Sequence, residues 1–289
     1  MRFPFPALAT DCHVHLFGPA DRYPFAPDRV YTPGDADEAA LLAMHRRIGI
    51  GRVVLVQPSP YGTDNSRLLD GLKRLGKAAR GIAVIDPSVK DTSLEALHTA
   101  GVRGVRVNIA TQGMHDPAVA LAQLDSHAAR VASPGWHVQI LTSPGVIAAL
   151  GDRLASLAVP LVIDHFGLAD MALGPDQPGF STLLRLVTSG RVFVKLSAIE
   201  RRTGPGQMAR ALPFIRALVA ANPDALVWGS DWPHTGGGRG ENRAATDIEP
   251  FMDLDDATAL ATLREAVQDA ALLHRILVDT PARLYDFPA

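Results

Sequence analysis

The sequence predicts an α/β fold, a (β/α)8 TIM barrel, and three observations carry that prediction. Short β-branched runs alternate with longer segments of helical period, the pattern of parallel βα units. Eight such runs are present, and each is followed by a segment of helical spacing. No Ser/Gly-rich linker or change of composition divides the 289 residues, so one domain spanning 1–289 is expected, large enough to fill a single barrel core.

The runs are ALATDCHVHL (7–16), RVVLVQ (52–57), GIAVID (81–86), VRGVRVN (102–108), WHVQIL (136–141), PLVIDH (160–165), RVFVKLS (191–197) and LVWGSD (226–231). Helical spacing is read at about 35–48, 64–78, 91–100, 117–132, 144–157, 179–189, 206–221 and 256–277. Several of these segments open on capping signals, among them Thr63-Asp64, Asp91-Thr92-Ser93 and Asp255-Asp256.

Composition narrows the function. The formal net charge is -2 and the 28 basic residues are scattered, which leaves no electrostatic footprint for nucleic acid or an anionic membrane. A small-molecule partner is expected. The single cysteine excludes an internal disulfide framework and a Cys-rich metal site and favours a reducing compartment. No 18 consecutive apolar residues occur, and MRFPFPALATD contains no long apolar stretch, so a cytoplasmic enzyme is expected.

Active sites of such barrels lie at the carboxyl ends of the strands. Asp11, His13, His15, Gln57, Asp86, Arg106, Asn108, His165, Lys195, Ser197 and Asp231 end the runs and become candidates. Side chains alternate along a strand, so Asp11, His13 and His15 are expected on one face and Cys12, Val14 and Leu16 on the other. The two imidazoles would then stand roughly 6–7 Å apart, suited to one metal or one substrate oxygen. By the same parity Leu161, Ile163 and His165 share a face, as do Val227, Gly229 and Asp231, with Gly229 leaving room beneath the carboxylate. Closure of the barrel brings Asp231 toward His13 and His15.

Blander readings cover the rest. H-x-H alone is a weak motif; its placement beside His165 and Asp231 gives it weight. His45, His98, His115, His127 and His274 fall in helices or loops and suit packing or surface roles, while His137 opens a strand on the stability face. Lys195 faces the interior, where a lysine must pair or lose its charge; an ion pair with Asp11 stands beside a catalytic role. Cys12 reads as core. G-x-S-x-G, GxGxxG and GxxxxGK[ST] are absent, and GGGRG (236–240) reads as a loop over the mouth.

D-x-H-x-H at 11–15, VIDHFG at 162–167 and WGSDWPH at 228–234 resemble the amidohydrolase superfamily. YTPGDA (31–36), VQPSPYGTDN (56–65), RGIAVIDP (80–87), RGVRVN (103–108), GWHV (135–138), VKLS (194–197) and TPARLY (280–285) narrow the resemblance to its 2-pyrone-4,6-dicarboxylate lactonase group. The resemblance implies a lactonase-type hydrolase in which Asp231 is the general base for water and His13, His15 and His165 surround the substrate carbonyl. It implies that Arg106 and Arg201 hold substrate carboxylates, and that Tyr31 lines the pocket.

Three positions depart from that pattern. Gln112 stands where a second arginine follows Arg106, Leu141 where a tyrosine ends strand five, and Gly236 where an asparagine follows the W-P-H turn. A carboxylated lactone other than the pyrone dicarboxylate is therefore expected. A binuclear metal centre is not expected, because strand four offers Arg106 and Asn108, and strand five Gln139 and Leu141. His13, His15 and Asp231, with His165 near, form a three-ligand set for one divalent metal such as zinc; the group works without metal, and the reading leans to no required cofactor. A lactone isomerase, a metal-dependent decarboxylase and a non-catalytic carboxylate-binding barrel are the alternatives.

Overall fold

The computed structural model describes residues 5–111, 113–237 and 243–288. Eight strands form the barrel: β1 (Thr10–Val14), β2 (Arg52–Val56), β3 (Ala79–Ala83), β4 (Val102–Asn108), β5 (His137–Leu141), β6 (Leu161–Ile163), β7 (Val192–Ser197) and β8 (Leu226–Gly229). They pair in chain order and in parallel, which is the predicted architecture. The ring closes just beyond β8, where the Asp231 amide donates to the His13 carbonyl at 2.9 Å and the His15 amide to the Trp232 carbonyl at 2.8 Å.

The outer layer holds α1 (Glu38–Ile48), α2 (Ser66–Leu75), α3 (Asp91–Thr99), α4 (Pro117–Val131), α5 (Pro144–Leu150), α6 (Pro178–Val187), α7 (Leu212–Ala221) and α8 (Asp256–Val267). Asp255 caps α8 through the Ala257 amide and Asp64 accepts from the Ser66 amide at the start of α2. At α3 the expected cap is displaced: Asp91 is already the first helical residue and binds Arg130 instead. Among the described residues no helix is long and apolar enough to cross a membrane.

Apolar side chains divide into two shells. Val14, Val53 and Leu55 point outward against Leu41 of α1 and Leu68 and Leu72 of α2. Cys12, Val54, Val56, Ile82 and Val227 point inward, where Tyr285 and Phe287 close the amino end of the barrel. Each such buried aliphatic side chain contributes about 1.5–3 kcal/mol. With that end plugged, the cavity that holds the candidate residues opens at the carboxyl ends of the strands.

One irregularity resets the parity of β1. Asp11 pairs with Val53 but Val14 with Leu55, so β1 carries one extra residue between them, a β-bulge. Asp11 therefore shares the outward direction of Val53, and its carboxylate meets His45 of α1 at 3.2 Å and the Ser230 hydroxyl at 2.6 Å. The expectation that Asp11 joins the face of His13 and His15 is corrected by this bulge, as is the grouping of Cys12 with Val14 and Leu16. Cys12 remains core, on the inner side. His127 and His137 are buried packing residues: His127 binds backbone carbonyls, and His137 lies edge-on to Tyr285.

Candidate active site

Four of the sequence candidates meet at the mouth. The Nε2 atoms of His13, His15 and His165 each lie 3.7 Å from Oδ1 of Asp231, and all four residues are buried. The closure hydrogen bonds of the barrel bring Asp231 to His13 and His15. His165 arrives differently. β6 ends at Ile163, and Val162, which pairs with inward Gln139, is its inward residue; Leu161 and Ile163 pack outward, so His165 does not share an inward face with them. Positive φ values of 50°, 57°, 63° and 55° at His165, Phe166, Gly167 and Leu168 turn the chain back and bring the imidazole into the mouth. Asp231 also has a positive φ, 71°. Non-glycine residues held there store strain of order 1 kcal/mol or more, which the surrounding hydrogen bonds offset.

Every second ring nitrogen is held. Nδ1 of His15 faces the Val56 carbonyl at 2.8 Å, Nδ1 of His165 the Ser197 hydroxyl at 2.8 Å, and Nδ1 of His13 the Lys195 ammonium at 3.3 Å. Such anchoring fixes ring direction.

Asp164 escapes the parity argument applied to PLVIDH and is absent from the sequence candidates. Its Oδ2 accepts from Nε of Arg106 at 3.1 Å and from the Gln139 amide at 3.0 Å, and its Oδ1 lies 3.2 Å from Nδ1 of His13 and 3.6 Å from Lys195. This is the carboxylate that compensates Lys195, so the expected Lys195–Asp11 pair is corrected to Lys195–Asp164. The signal available in the sequence was a carboxylate adjacent to His165 with no solvent-facing strand position to occupy.

Arg106 and Arg201 are not equivalent. Arg106 spends Nε on Asp164, and its two Nη atoms make no hydrogen bond among the described residues. Arg201 binds Oδ2 of Asp231 at 2.8 Å and the Thr235 carbonyl at 3.1 Å. Both line a cavity of about 420 Å³ together with Tyr31, His15, His165 and Asp231. Leu141, Leu168 and Met252 form an apolar part of its wall, and Arg202 and Gly236 also line it. Gln112 and residues 238–240 of the GGGRG loop lie outside the described residues.

Burial sets the ionisation of the site. It holds His13 well below 6.5, reinforced by Lys195; it lowers His15 to about 3, reinforced by Arg106; and it depresses His165, reinforced by His13. The imidazoles are therefore neutral near pH 7. Burial pushes the Asp231 carboxyl up from 3.8, against the opposing pull of Arg201. Burial would also raise Asp164, but Lys195, Arg106 and His165 with the Gln139 hydrogen bond together outweigh it and hold that carboxyl low. Lys195 falls to about 8 through burial, opposed by Asp164.

Ligand atoms of His13, His165 and Asp231 lie within 4.8 Å of one another. By position and donor chemistry this trio fits one divalent ion. The expected donors His13, His15 and Asp231 are also close, with the two Nε2 atoms 3.3 Å apart and each 3.7 Å from Oδ1 of Asp231.

Comparison with known proteins places these residues in context. Residues 10–287 match the amidohydrolase family. The chain is 35% identical to a 2-pyrone-4,6-dicarboxylate hydrolase of Comamonas testosteroni, over 98% of this chain and 92% of that protein. It is likewise 35% identical to a 4-sulfomuconolactone hydrolase of Rhizobium radiobacter, over 98% of this chain and 91% of that protein. Among solved structures, a proposed 2-pyrone-4,6-dicarboxylic acid hydrolase from Pseudomonas putida superimposes with a TM-score of 0.82 at 33% identity, covering 98% of this chain and 99% of the other.

Proposed function

Because this chain belongs to the amidohydrolase family, we propose that it is a lactonase-type hydrolase that opens a carboxylated lactone with water activated by Asp231. The observation that carries the reading is the placement of Asp231: Oδ1 stands 3.7 Å from three imidazole Nε2 atoms while Arg201 holds Oδ2. A carboxylate so placed can accept a proton in a cavity whose other groups stabilise negative charge. The names of the two hydrolase relatives point to the same chemistry.

In this reading the Nη edge of Arg106 grips the substrate carboxylate as a two-point fork. The lactone carbonyl then points at the histidines. Asp231 takes a proton from water as the water oxygen bonds to the carbonyl carbon, and the oxygen that gains charge is stabilised by imidazole N–H donors. Collapse breaks the ring C–O bond, and Asp231 returns its proton to the leaving alkoxide. The new carboxylic acid loses its own proton to solvent. A divalent ion, if bound, would be held by His13, His165 and Asp231 and would supply Lewis-acid polarisation of the carbonyl and a more acidic water.

A panel of mono- and dicarboxylated γ- and δ-lactones, followed by proton release in ¹⁸O-labelled water, tests the proposal. Opening with one solvent oxygen in the new carboxylate supports it. Conversion without label incorporation would identify an isomerase, and release of carbon dioxide a decarboxylase. Tight binding without turnover would identify a carboxylate-binding protein.

A further inference from the structure

We infer that Lys195 is a positioning residue that fixes the ring proton of His13 on Nε2, so that His13, fully buried beneath the cavity, donates to the cavity-lining His15. Lys195 is fully buried in the barrel interior. An ammonium has three N–H donors and no acceptor, and three acceptors surround this one. They are the Gln139 side-chain oxygen at 2.6 Å, the Cys12 carbonyl at 2.8 Å and Nδ1 of His13 at 3.3 Å. The Cys12 carbonyl lies within the β1 bulge. Gln139 is fixed in turn, because its amide nitrogen donates to Asp164 while its oxygen accepts from Lys195. Nδ1 of His13 is therefore an acceptor, and a neutral imidazole that accepts at Nδ1 carries its proton on Nε2.

The same assignment follows from the opposite end. Nδ1 of His15 lies 2.8 Å from the Val56 carbonyl, which only accepts, so His15 carries its proton on Nδ1 and a lone pair on Nε2. Nε2 of His13 lies 3.3 Å from Nε2 of His15, and that contact needs a donor opposite the lone pair. The result is one directed chain from Lys195 through His13 and His15 to Val56. The competing acceptor is Oδ1 of Asp164, 3.2 Å from Nδ1 of His13. It makes no hydrogen bond with that ring or with any other described group.

His13 and His15 thus differ in role, although the H-x-H motif presents them as a pair. His13 directs its N–H at His15, whereas His15, which lines the cavity, meets it with a lone pair and is thereby held in place. A metal ligand must present a lone pair, so an ion on His13 would require this proton to move to Nδ1, beside Asp164. Only the catalytic consequence rests on the lactone-opening reading; the tautomer itself is measured without turnover.

The test uses the full chain labelled with ¹⁵N-histidine, dialysed against chelator at neutral pH. Long-range ¹H–¹⁵N spectra distinguish protonated from unprotonated ring nitrogens, and the His13 signals are identified by their loss in His13→Gln. The native protein should show His13 protonated on Nε2. In Lys195→Met the proton should move to Nδ1, and on any lactone the native enzyme opens kcat should fall about 10-fold, as for loss of a partner that orients a site histidine, with KM nearly unchanged. A native spectrum with His13 protonated on Nδ1 overturns the inference, and so does an unchanged tautomer in folded Lys195→Met. If that variant does not fold, the native spectrum alone decides. The predicted tautomer in a protein that opens no lactone would leave this inference standing and remove the functional reading.

Discussion

A Cβ on Gly229 would lie 2.7 Å from the Cβ of His13 and 2.8 Å from its amide nitrogen. β8 can press against β1 at the point of barrel closure only because this residue has no side chain, and the same contact seats the His13 ring. Gly229→Ala should therefore destabilise the fold by about 1–3 kcal/mol, the usual range for forcing an extra methyl into a packed interior. It should also reduce kcat/KM by moving His13 away from Asp231. Denaturant unfolding together with lactone kinetics checks both effects, and native-like values in both would show that the contact does not position the ring.

The two arginines should separate kinetically. Among the described residues Arg106 makes no hydrogen bond through its Nη atoms, whereas Arg201 is bound to the carboxylate of Asp231. Arg106→Met should raise KM by about 10-fold or more, in line with about 1.5–3 kcal/mol for a hydrogen bond to a charged group, with a smaller change in kcat. Equal effects on KM in Arg106→Met and Arg201→Met would argue against this division.

Arg201→Met should instead move the acid limb of the pH profile. Asp231 acts as a base only when ionised, so activity is present above its pKa and is lost as pH falls through it. Burial raises that pKa and Arg201 opposes the rise, so removing Arg201 shifts the limb to higher pH. Profiles of kcat/KM for both arginine variants test the sign, and an acid limb that stays in place or moves downward in Arg201→Met would contradict it.

Stability should carry its own pH signature at the junction of α1 and α2. Arg67 binds both oxygens of Glu38, at 2.7 and 3.2 Å. Burial would raise the Glu38 pKa, but the Arg67 hydrogen bonds, a backbone hydrogen bond and the charges of Arg67 and Arg74 together outweigh it, and the folded value lies below 4.5. A depressed folded pKa means that the contribution is complete above the unfolded value and is lost as pH falls through the folded one. The thermal midpoint of Glu38→Gln should lie below that of the native protein near pH 7, and the two should converge as pH drops below about 4. A gap that persists unchanged at low pH would assign the contact to packing.

Metal removal gives a further expectation. Arg106, Arg201 and Lys195 surround the His13, His165 and Asp231 donors and oppose a dication while favouring an oxyanion. Lactone opening should therefore survive dialysis against chelator. A loss of more than about 10-fold that zinc restores would instead make the ion part of the machinery, since outer-shell changes alone reach that size.

The barrel was legible in the sequence because periodicity reports which side of each strand is apolar, and the positions of His13, His15, His165 and Asp231 followed from strand ends. Local backbone events were not legible. The bulge in β1 turned Asp11 outward to His45, an event that strict alternation cannot anticipate. Asp164 was missed because β6 ends at Ile163 and the chain then turns through four residues with positive φ, of which only Gly167 is a glycine. The exchange of Asp11 for Asp164 as the partner of Lys195 follows from these two departures. The bulge and the turn also build the site, since they bring His165 and the Lys195–Asp164 pair beneath the rim.

The most direct measurement is the turnover of Asp231→Asn on a lactone that the native protein opens. The substitution keeps the shape of the side chain and removes its ability to take a proton from water. A fall in kcat of about 100-fold or more, the contribution of a positioned general base, with the fold and substrate affinity retained, is the predicted result. Turnover within a few-fold of the native rate would contradict the account.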